Sequence, residues 1–289
     1  MIKALLNKKL RGAAGAMDLE LELSIAEGSF NALFGPSGAG KTSTLRMISG
    51  FMRPDSGLIT TNGHSWFNSK EKINIKPGKR NIGFVFQNLA LFPNMSVLEN
   101  MRYAAGKNQD ETLFKELLEV SELGSLADQK SAQLSGGQQR RAALIRAIAQ
   151  QPDLLLLDEP FSGIDNQTRL RLQDYLADLH QRFKFTVILV SHDIAEVCKL
   201  AENIWQIEEG KIIKSGTAAH IFGLNSGFGQ LQLTAKVVAV AADELSLLIA
   251  GSIVNWKIRD DRAEYKIGQM VSLSIDQNTG TLTQLKEGR

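Results

Sequence analysis

The stretch Gly35-Pro-Ser-Gly-Ala-Gly-Lys-Thr42 decides the fold, because its eight positions fit the phosphate-binding loop G-x-x-x-x-G-K-[ST]. It follows an apolar run, Phe30–Phe34, and precedes a helical stretch, Ser43–Ser49. In that context backbone N–H groups and the positive end of the helix dipole bind phosphate. We expect Lys41 to neutralise the β- and γ-phosphates of a nucleotide and Thr42 to bind Mg²⁺. The candidate phosphate-binding residues are Gly35, Pro36, Ser37, Gly38, Ala39, Gly40, Lys41, Thr42 and Ser43.

A second apolar run, Leu154–Leu157, ends in the acidic pair Asp158 and Glu159. Ligands of α/β sheets bind at the carboxyl ends of such strands. Asp158 is therefore a candidate Mg²⁺ ligand, and Glu159 is a candidate base that polarises an attacking water molecule. The alternative is a solvated acidic pair at the end of a strand, which the phosphate-binding loop disfavours.

The chain as a whole has the pattern of an α/β protein with a parallel sheet. Leu19–Ile25 alternates apolar and polar residues, as a strand with one buried face does. Leu154–Leu157 and Thr186–Val190 are short, continuous apolar runs typical of fully buried parallel strands. Gln167–Phe183 between them is long enough to be a helical crossover. The fold class predicted is a P-loop NTPase core of α/β type.

Composition limits the classes of protein that remain. The 289 residues are 43% hydrophobic and 22% charged, with a net charge of +2. This composition excludes collagen-like, disordered and coiled-coil proteins. So balanced a charge gives no long-range attraction to nucleic acid or anionic membranes. One cysteine, Cys198, excludes a disulfide framework and favours a cytosolic location. No apolar run approaches the roughly 20 residues that span a bilayer. Lys3 and Lys8 interrupt the apolar region that a signal peptide needs.

The length predicts about two domains. We assign residues 1–220 to the nucleotide-binding domain, with a mostly helical insert at about 88–133. The glycine-rich segment 221–230 is typical of a linker. Residues 229–289 are predicted to form a small all-β domain. Its strand-like runs are Leu231–Ala241, Leu245–Ile258 and Met270–Ile275.

The sequence Leu134-Ser-Gly-Gly-Gln138 opens another predicted helix. Ser135 is a plausible N-cap, and Gly136 and Gly137 leave the helix N-terminus accessible to an anion. One chain does not need two γ-phosphate sites, but two chains packed head to tail would each lend this helix to the other's nucleotide. An ordinary serine–glycine helix cap is the alternative.

Taken together, these motifs resemble the nucleotide-binding subunits of ABC transporters over roughly residues 18–215. The resemblance implies that Gln87 contacts Mg²⁺ and the attacking water, and that His192 contacts the γ-phosphate and steadies Glu159. It also implies that Asp165 communicates between two subunits and that Ser135 to Gln138 contact the ATP of the opposite subunit. The motifs are GPSGAGKT, Gln87, LSGGQ, LLLLDEP, Ser162-Gly-Ile-Asp165 and Ser191-His192-Asp193.

Two positions depart from the pattern of that family. Most members carry an aromatic residue about two dozen positions before the phosphate loop, stacked on adenine, whereas Lys9–Met17 has none. Arg11 could stack through its guanidinium, or the segment is a plain β-turn. Gly163-Ile164 replaces the usual Ala-Leu beside Asp165, which is present.

The sequence also resembles the ATPases of bacterial importers. In those proteins the segment matching Ile82–Gln87 and Ala90–Asn100 docks a helix of the permease, and Phe86, Phe92 and Met95 would supply the apolar floor. Core packing is the alternative for any one of these side chains. The resemblance implies an ATPase homodimer with two transmembrane permease subunits, served by an extracytoplasmic solute-binding protein, at the cytoplasmic face of the inner membrane.

Residues 229–289 resemble a single TOBE/Mop-like regulatory domain, most similar to that of molybdate or tungstate import ATPases. Importers of iron(III), sulfate, thiamine or polyamines are the alternatives. Two further classes compete: an ABC-type ATPase of DNA maintenance, which would carry coiled-coil or zinc insertions, and an oxyanion-sensing binding module. The cofactors implied are ATP and Mg²⁺, and no nucleic-acid partner is expected.

Overall fold

A computed structural model of the chain describes residues 1–12, 15–223, 231–241, 244–249, 252–257, 265–275 and 280–284. The chain divides into two compact units, Met1–Ile221 and Phe222–Arg289. No helix among the described residues is long and apolar enough to cross a membrane.

In the described part of the first unit, eleven strands form one mixed sheet with the order β6-β5-β4-β1-β2-β11-β10-β3-β9-β8-β7. The five strands β10, β3, β9, β8 and β7 are parallel, and their carboxyl ends therefore share one edge. The predicted α/β architecture is confirmed. The strands are β1 (Ile2–Gly12), β2 (Gly15–Ile25), β3 (Phe30–Phe34), β4 (Ser56–Thr61), β5 (His64–Asn68), β6 (Ile73–Asn74), β7 (Ile82–Val85), β8 (Leu154–Asp158), β9 (Thr186–Ser191), β10 (Asn203–Glu208) and β11 (Lys211–Gly216).

Burial explains the two hydrophobic patterns in the sequence. Every residue of β8 and β9 is buried, because helices cover both faces of the parallel sheet there. In β2 the side chains alternate between buried and exposed from Leu19 to Ile25, since one face packs on the core. Both predictions are confirmed.

Seven helices connect the strands in the described part of this unit. The first begins at Lys41, two residues before the predicted start at Ser43, because Gly40 occupies its N-cap. The predicted insert 88–133 contains α2 and α3 and two 3₁₀ turns, and both helices pack against α4. The helices are α1 (Lys41–Ser49), α2 (Val97–Ala105), α3 (Glu111–Val120), α4 (Gly136–Ala149), α5 (Asn166–Phe183), α6 (Ile194–Leu200) and α7 (Ala218–Ile221).

The second unit contains an antiparallel sheet of order β14-β13-β12-β15-β16. One strand over Leu245–Ile258 is a wrong prediction, because the chain reverses between β13 and β14 and pairs Leu248 with Ile253. The strand β16 is not predicted by the sequence pattern, and the predicted linker residues 224–230 lie outside the described residues. A small cluster forms the core: Ala235, Val237, Leu245, Leu247 and Val271. The strands are β12 (Leu231–Val240), β13 (Glu244–Ile249), β14 (Ser252–Lys257), β15 (Met270–Ile275) and β16 (Gly280–Gln284).

Candidate functional site

The phosphate-binding loop connects the carboxyl end of β3 to the start of α1. Gly35 has a φ of 153°, and a Cβ atom there would lie 2.1 Å from the carbonyl oxygen of Ile207. Only glycine fits so close an approach of two backbones. Gly38, at a φ of 86°, faces open space and is exposed. The loop is thus held tightly at its base while its tip, Pro36 to Gly38, stays accessible to a ligand.

Lys41, the first residue of α1, folds back over this loop. Its Nζ atom donates hydrogen bonds to the carbonyl oxygens of Gly35 and Pro36, each at 2.8 Å. Burial lowers the pKa of Lys41, and the nearby carboxylates of Glu159 and Asp158 oppose that shift. The cation therefore lies within the concave loop, where it can neutralise phosphate oxygens bound by the loop's N–H groups.

Thr42 and Asp158 meet at the same edge of the sheet. The Thr42 hydroxyl donates a hydrogen bond of 2.8 Å to Oδ1 of Asp158, the last residue of β8. Asp158 is buried, and this burial raises the pKa of its carboxyl. A hydroxyl and a carboxylate are the hard oxygen ligands that Mg²⁺ prefers, and Mg²⁺ takes its other ligands from water and phosphate. The pair fits the ion predicted from the sequence.

Glu159 and His192 are brought together by the parallel pairing of β8 and β9. Glu159 has a φ of 48°, in the left-handed region, and its N–H donates to the carbonyl of Val190 at 3.1 Å. The Nδ1 atom of His192 lies 3.4 Å from Oε1 of Glu159. A residue held in this unusual backbone conformation, with its N–H bonded to the neighbouring strand, has a defined orientation. The strand pairing thus brings the two predicted side chains close together at the carboxyl ends of β8 and β9.

Glu196 and Arg169, which lie outside the sequence motifs, hold the two neighbours of His192, Ser191 and Asp193. The Ser191 hydroxyl donates to the buried carboxylate of Glu196 at 2.6 Å and accepts from the N–H of Asp193 at 3.0 Å. Arg169 of α5 forms an ion pair of 3.1 Å with Asp193. Burial raises the pKa of Glu196. No local pattern marks Glu196 or Arg169, since their partners come from other elements.

The segment Ser135 to Gln138 forms the N-terminus of α4. Ser135 is the N-cap and accepts from the N–H of Gln138 at 3.3 Å, while the Gln138 side chain accepts from the N–H of Ser135 at 2.8 Å. The predicted cap is confirmed as a capping box. Ser135 and Gly136 are exposed, and a Cβ on Gly137 would lie 3.0 Å from the methyl group of Thr168. This helix start therefore lies beside α5.

Asp165 caps that neighbouring helix. Its carboxylate accepts a hydrogen bond of 2.9 Å from the N–H of Thr168, and this bond lowers the pKa of Asp165. Arg140 of α4 donates to the carbonyl of Ser162 in the loop that precedes Asp165. The two helix starts, α4 and α5, thus line one exposed cleft.

Gln87 follows β7 and is exposed, in a turn whose next residues have left-handed backbones. Among the described residues, no hydrogen bond joins Gln87 to Thr42 or Asp158. The structure therefore places Gln87 at the correct edge of the sheet without bringing it into the Thr42–Asp158 pair.

The Lys9–Met17 stretch lies in the hairpin of β1 and β2, and residues 13 and 14 are outside the described part. A Cβ on Gly40 would lie 3.3 Å from the Cε atom of Met17. The segment that lacks an aromatic residue therefore reaches the phosphate-binding loop through a methionine.

Comparison with known proteins agrees with this geometry. The profile described as "ABC transporter" matches residues 19–162. The probable sulfate/thiosulfate import ATP-binding protein CysA of Chlorella vulgaris is 40% identical over 215 residues, which cover 73% of this chain and 88% of that protein. The chain belongs to the ABC transporter family.

Other ABC proteins show the same relationship. The molybdenum import ATP-binding protein ModC of Brucella melitensis is 41% identical over 221 residues, 76% of this chain. The match covers 61% of the length of that relative. The dimeric structure of MJ0796, a bacterial ABC transporter cassette, superimposes with a TM-score of 0.64 at 29% identity and covers 75% of this chain and 99% of that one.

The aromatic side chains after β7 are partly exposed in this ABC chain. Phe86 stacks on Phe84 with ring centroids 4.1 Å apart, and the half-exposed Phe51 packs against both. Phe92 is 38% exposed and contacts Tyr103 edge to face at 4.6 Å. Of the predicted floor residues, Phe86 and Met95 are half-buried and Phe92 is exposed. Phe86 packs against the hydrophobic core, so core packing accounts for Phe86 but not for the exposed Phe92.

Proposed function

We propose that the chain is the ATP-hydrolysing subunit of an ABC importer, coupling ATP binding and hydrolysis to solute uptake through a separate permease. The observation that carries this proposal is the geometry of one sheet edge. There Lys41 and the Thr42–Asp158 pair lie on one side, and the Glu159–His192 pair lies next to them. These are the parts that phosphoryl transfer requires: charge neutralisation, a metal site and a residue that orients the nucleophile.

The residues would act mainly by position. The loop N–H groups and Lys41 hold the phosphates, while Thr42 and Asp158 hold Mg²⁺, which neutralises phosphate charge when it is bound. Glu159 orients a water molecule and withdraws its proton, because a carboxylate within hydrogen-bond reach serves as a base. His192, 3.4 Å from Glu159, keeps that carboxylate in place and contacts the γ-phosphate.

A head-to-tail homodimer completes the proposed site. The start of α4 is exposed and carries accessible N–H groups at Gly136 and Gly137, which suits an anion from another chain. In this arrangement Ser135 to Gln138 contact the partner's ATP, and Asp165 relays the state of one site to the other. The dimeric MJ0796 cassette, which is similar along 75% of this chain, supports the arrangement.

The surface formed by Phe51, Phe86, Phe92, Met95 and Tyr103, of which Phe51, Phe92 and Tyr103 are exposed, is proposed as the docking site for a helix of one permease subunit, so that a homodimer binds two permease subunits. Exposed aromatic groups of this kind are enriched at protein interfaces. Docking there would make the subunit peripheral to the cytoplasmic face of the inner membrane. An extracytoplasmic solute-binding protein would act on it only through the permease.

The solute proposed is molybdate or a related oxyanion. ModC of Brucella melitensis, at 41% identity, supports molybdate, and the CysA protein of Chlorella vulgaris, at 40%, supports sulfate as the second candidate. We further propose that residues 229–289 are a TOBE/Mop-like domain that binds the oxyanion. Equilibrium dialysis of the full chain with radioactive molybdate tests that assignment, and absence of binding would leave the domain a structural role.

The deciding experiment is reconstitution of the chain with its permease in lipid vesicles. Addition of a solute-binding protein loaded with molybdate should stimulate phosphate release, and the Glu159→Gln chain should show no stimulation. Stimulation by sulfate instead would establish the second candidate. Iron(III), thiamine and polyamine arms belong in the same assay, and a response to one of these alone would refute the oxyanion proposal.

A further inference from the structure

Arg146 lies in the last turn of α4 and is only 9% exposed. No carboxylate pairs with it among the described residues; its guanidinium donates to the carbonyl oxygen of Ala90 at 2.5 Å and to that of Leu89 at 3.1 Å. Its Cζ atom lies 6.0 Å from the centroid of the Phe92 ring. A buried cation that is balanced by carbonyl groups is tolerated only where well-placed hydrogen bonds hold it, so the contacts of Arg146 constrain the segment that supplies those carbonyls.

The two carbonyl groups belong to a strained turn. Leu89 and Ala90 have φ values of 61° and 47°, a region that side chains other than glycine rarely adopt. The hydrogen bonds within the turn join residues close in sequence. The N–H of Leu89 donates to the carbonyl oxygen of Phe86 at 2.8 Å, and the N–H of Ala90 donates to that of Asn88 at 2.7 Å. Such a conformation persists only where surrounding groups hold it. Arg146 supplies that hold from outside the turn.

Gln87 lies inside the same turn, between Phe86, whose carbonyl accepts the hydrogen bond, and the strained residues Leu89 and Ala90. The helix that carries Arg146 begins at Ser135, which the proposed function places against the partner's ATP. One rigid helix therefore joins the surface facing the second nucleotide to the loop that carries Gln87. Phe92, on the proposed docking surface, lies next to the same guanidinium.

We propose that Arg146 is a positioning residue that fixes the turn from Phe86 to Ala90 and thereby holds Gln87 where hydrolysis needs it, linking that turn to the α4 helix. This inference rests on the proposed function, in which Gln87 contacts Mg²⁺ and water. The planar guanidinium suits the task because its N–H groups form a rigid fork that fixes the directions of both carbonyls, whereas the ammonium of lysine is a point charge whose donors rotate freely.

The first test measures ATP hydrolysis and nucleotide binding by full-length Arg146→Lys and Arg146→Gln proteins. We expect the kcat to fall about ten- to a hundredfold, as for misplaced catalytic groups, while the Kd for a fluorescent ATP analogue stays unchanged. The matched control is Arg141→Gln, which removes an arginine of the same helix that donates to the carbonyl of Ser121 at 2.8 Å. An equal loss in the control, or a kcat unchanged in both Arg146 variants, overturns the proposal.

A second readout does not depend on catalysis. Amide hydrogen exchange should accelerate over residues 86–92 in Arg146→Lys and remain unchanged along α4 and in the Arg141→Gln control. General acceleration throughout the chain would show a merely structural role. Unchanged exchange at residues 86–92 would show that Arg146 does not hold the turn.

A double-mutant cycle separates this inference from the proposed function. If Arg146 acts through Gln87, the Gln87→Ala and Arg146→Gln losses should not multiply in the double variant. Multiplied losses overturn the inference and leave the role of Gln87 intact. Full activity of Gln87→Ala refutes the proposed role of Gln87, and with it the route assigned to Arg146.

Discussion

The imidazole Nδ1 of His192 lies 3.4 Å from Oε1 of Glu159, although 33 positions separate the two residues in the chain. The parallel pairing of β8 with β9 produces this proximity, because Asp158 pairs with Val190 and both loops then leave the same edge. The pair suits a carboxylate base steadied by a neighbouring ring.

Replacement of Glu159 by glutamine should leave ATP binding intact and lower turnover about 10²- to 10⁴-fold, the usual contribution of a general base. The amide keeps the shape of the side chain but cannot accept the proton. Phosphate release and equilibrium ATP binding measure the two effects. Glu119→Gln, an exposed change on α3, is the control, and a Glu159→Gln protein with most of its rate would exclude Glu159 as the base.

His192 should act through Glu159. We expect His192→Ala to slow hydrolysis severely, and the double variant with Glu159→Gln to be no slower than Glu159→Gln alone, since residues that act as a unit are not additive. Single-turnover rates of the four proteins test this. Independent, multiplying losses would mean that His192 contributes separately from the carboxylate.

The nucleotide-free Asp158→Asn protein should be more stable than the wild type at neutral pH. Because burial raises the pKa of Asp158 above its ordinary 3.8, folding disfavours the ionised form, and stability falls as pH rises from that value through the raised pKa. Asparagine does not ionise, so the extra stability of the Asp158→Asn protein over the wild type should vanish at acidic pH. Urea unfolding between pH 4 and 8, about the range in which such a group titrates, measures the difference. The variant should also need more Mg²⁺ for any residual hydrolysis; a stability gain independent of pH would contradict the account.

Two inactive chains should restore activity when mixed. Ser135→Arg places a bulky cation at the start of α4, and Lys41→Ala removes the loop cation. A head-to-tail dimer of one Ser135→Arg chain and one Lys41→Ala chain has one nucleotide site with both defects and one site with neither. Phosphate release by co-refolded chains should therefore exceed that of either alone. Ser125→Arg, at an exposed position outside the cap, should stay active, and failure to complement would argue against shared sites.

Arg80 should stabilise the fold without taking part in hydrolysis. It is 1% exposed and donates to the carbonyls of Met47 and Ile48 at the end of α1, at 3.1 and 2.6 Å. Burial lowers its pKa to about 10. We expect Arg80→Met to cost roughly 2–5 kcal/mol, since it leaves buried carbonyls unpaired. Chemical denaturation measures this, and exposed Arg53→Met should change stability little.

The local features of this protein can be predicted from short stretches of its sequence. The loop from Gly35 to Thr42 needs a strand before it and a helix after it, and both are legible in neighbouring residues. The apolar run before Asp158 predicts a buried strand, and Ser135 predicts a helix cap. These features follow from backbone geometry and hydrophobic period over a few residues, which any single sequence displays.

The roles of the charged residues inside the fold depend instead on tertiary contacts. In sequence, Arg80 and Arg146 are ordinary cations expected on the surface. Folding buries both against carbonyl groups, and those that Arg146 contacts lie 56 and 57 positions away. In the same way, Arg169 of α5 meets Asp193, 24 positions away. A buried charge is tolerated only where distant chain segments supply its hydrogen bonds, and that supply exists only after the strands have paired.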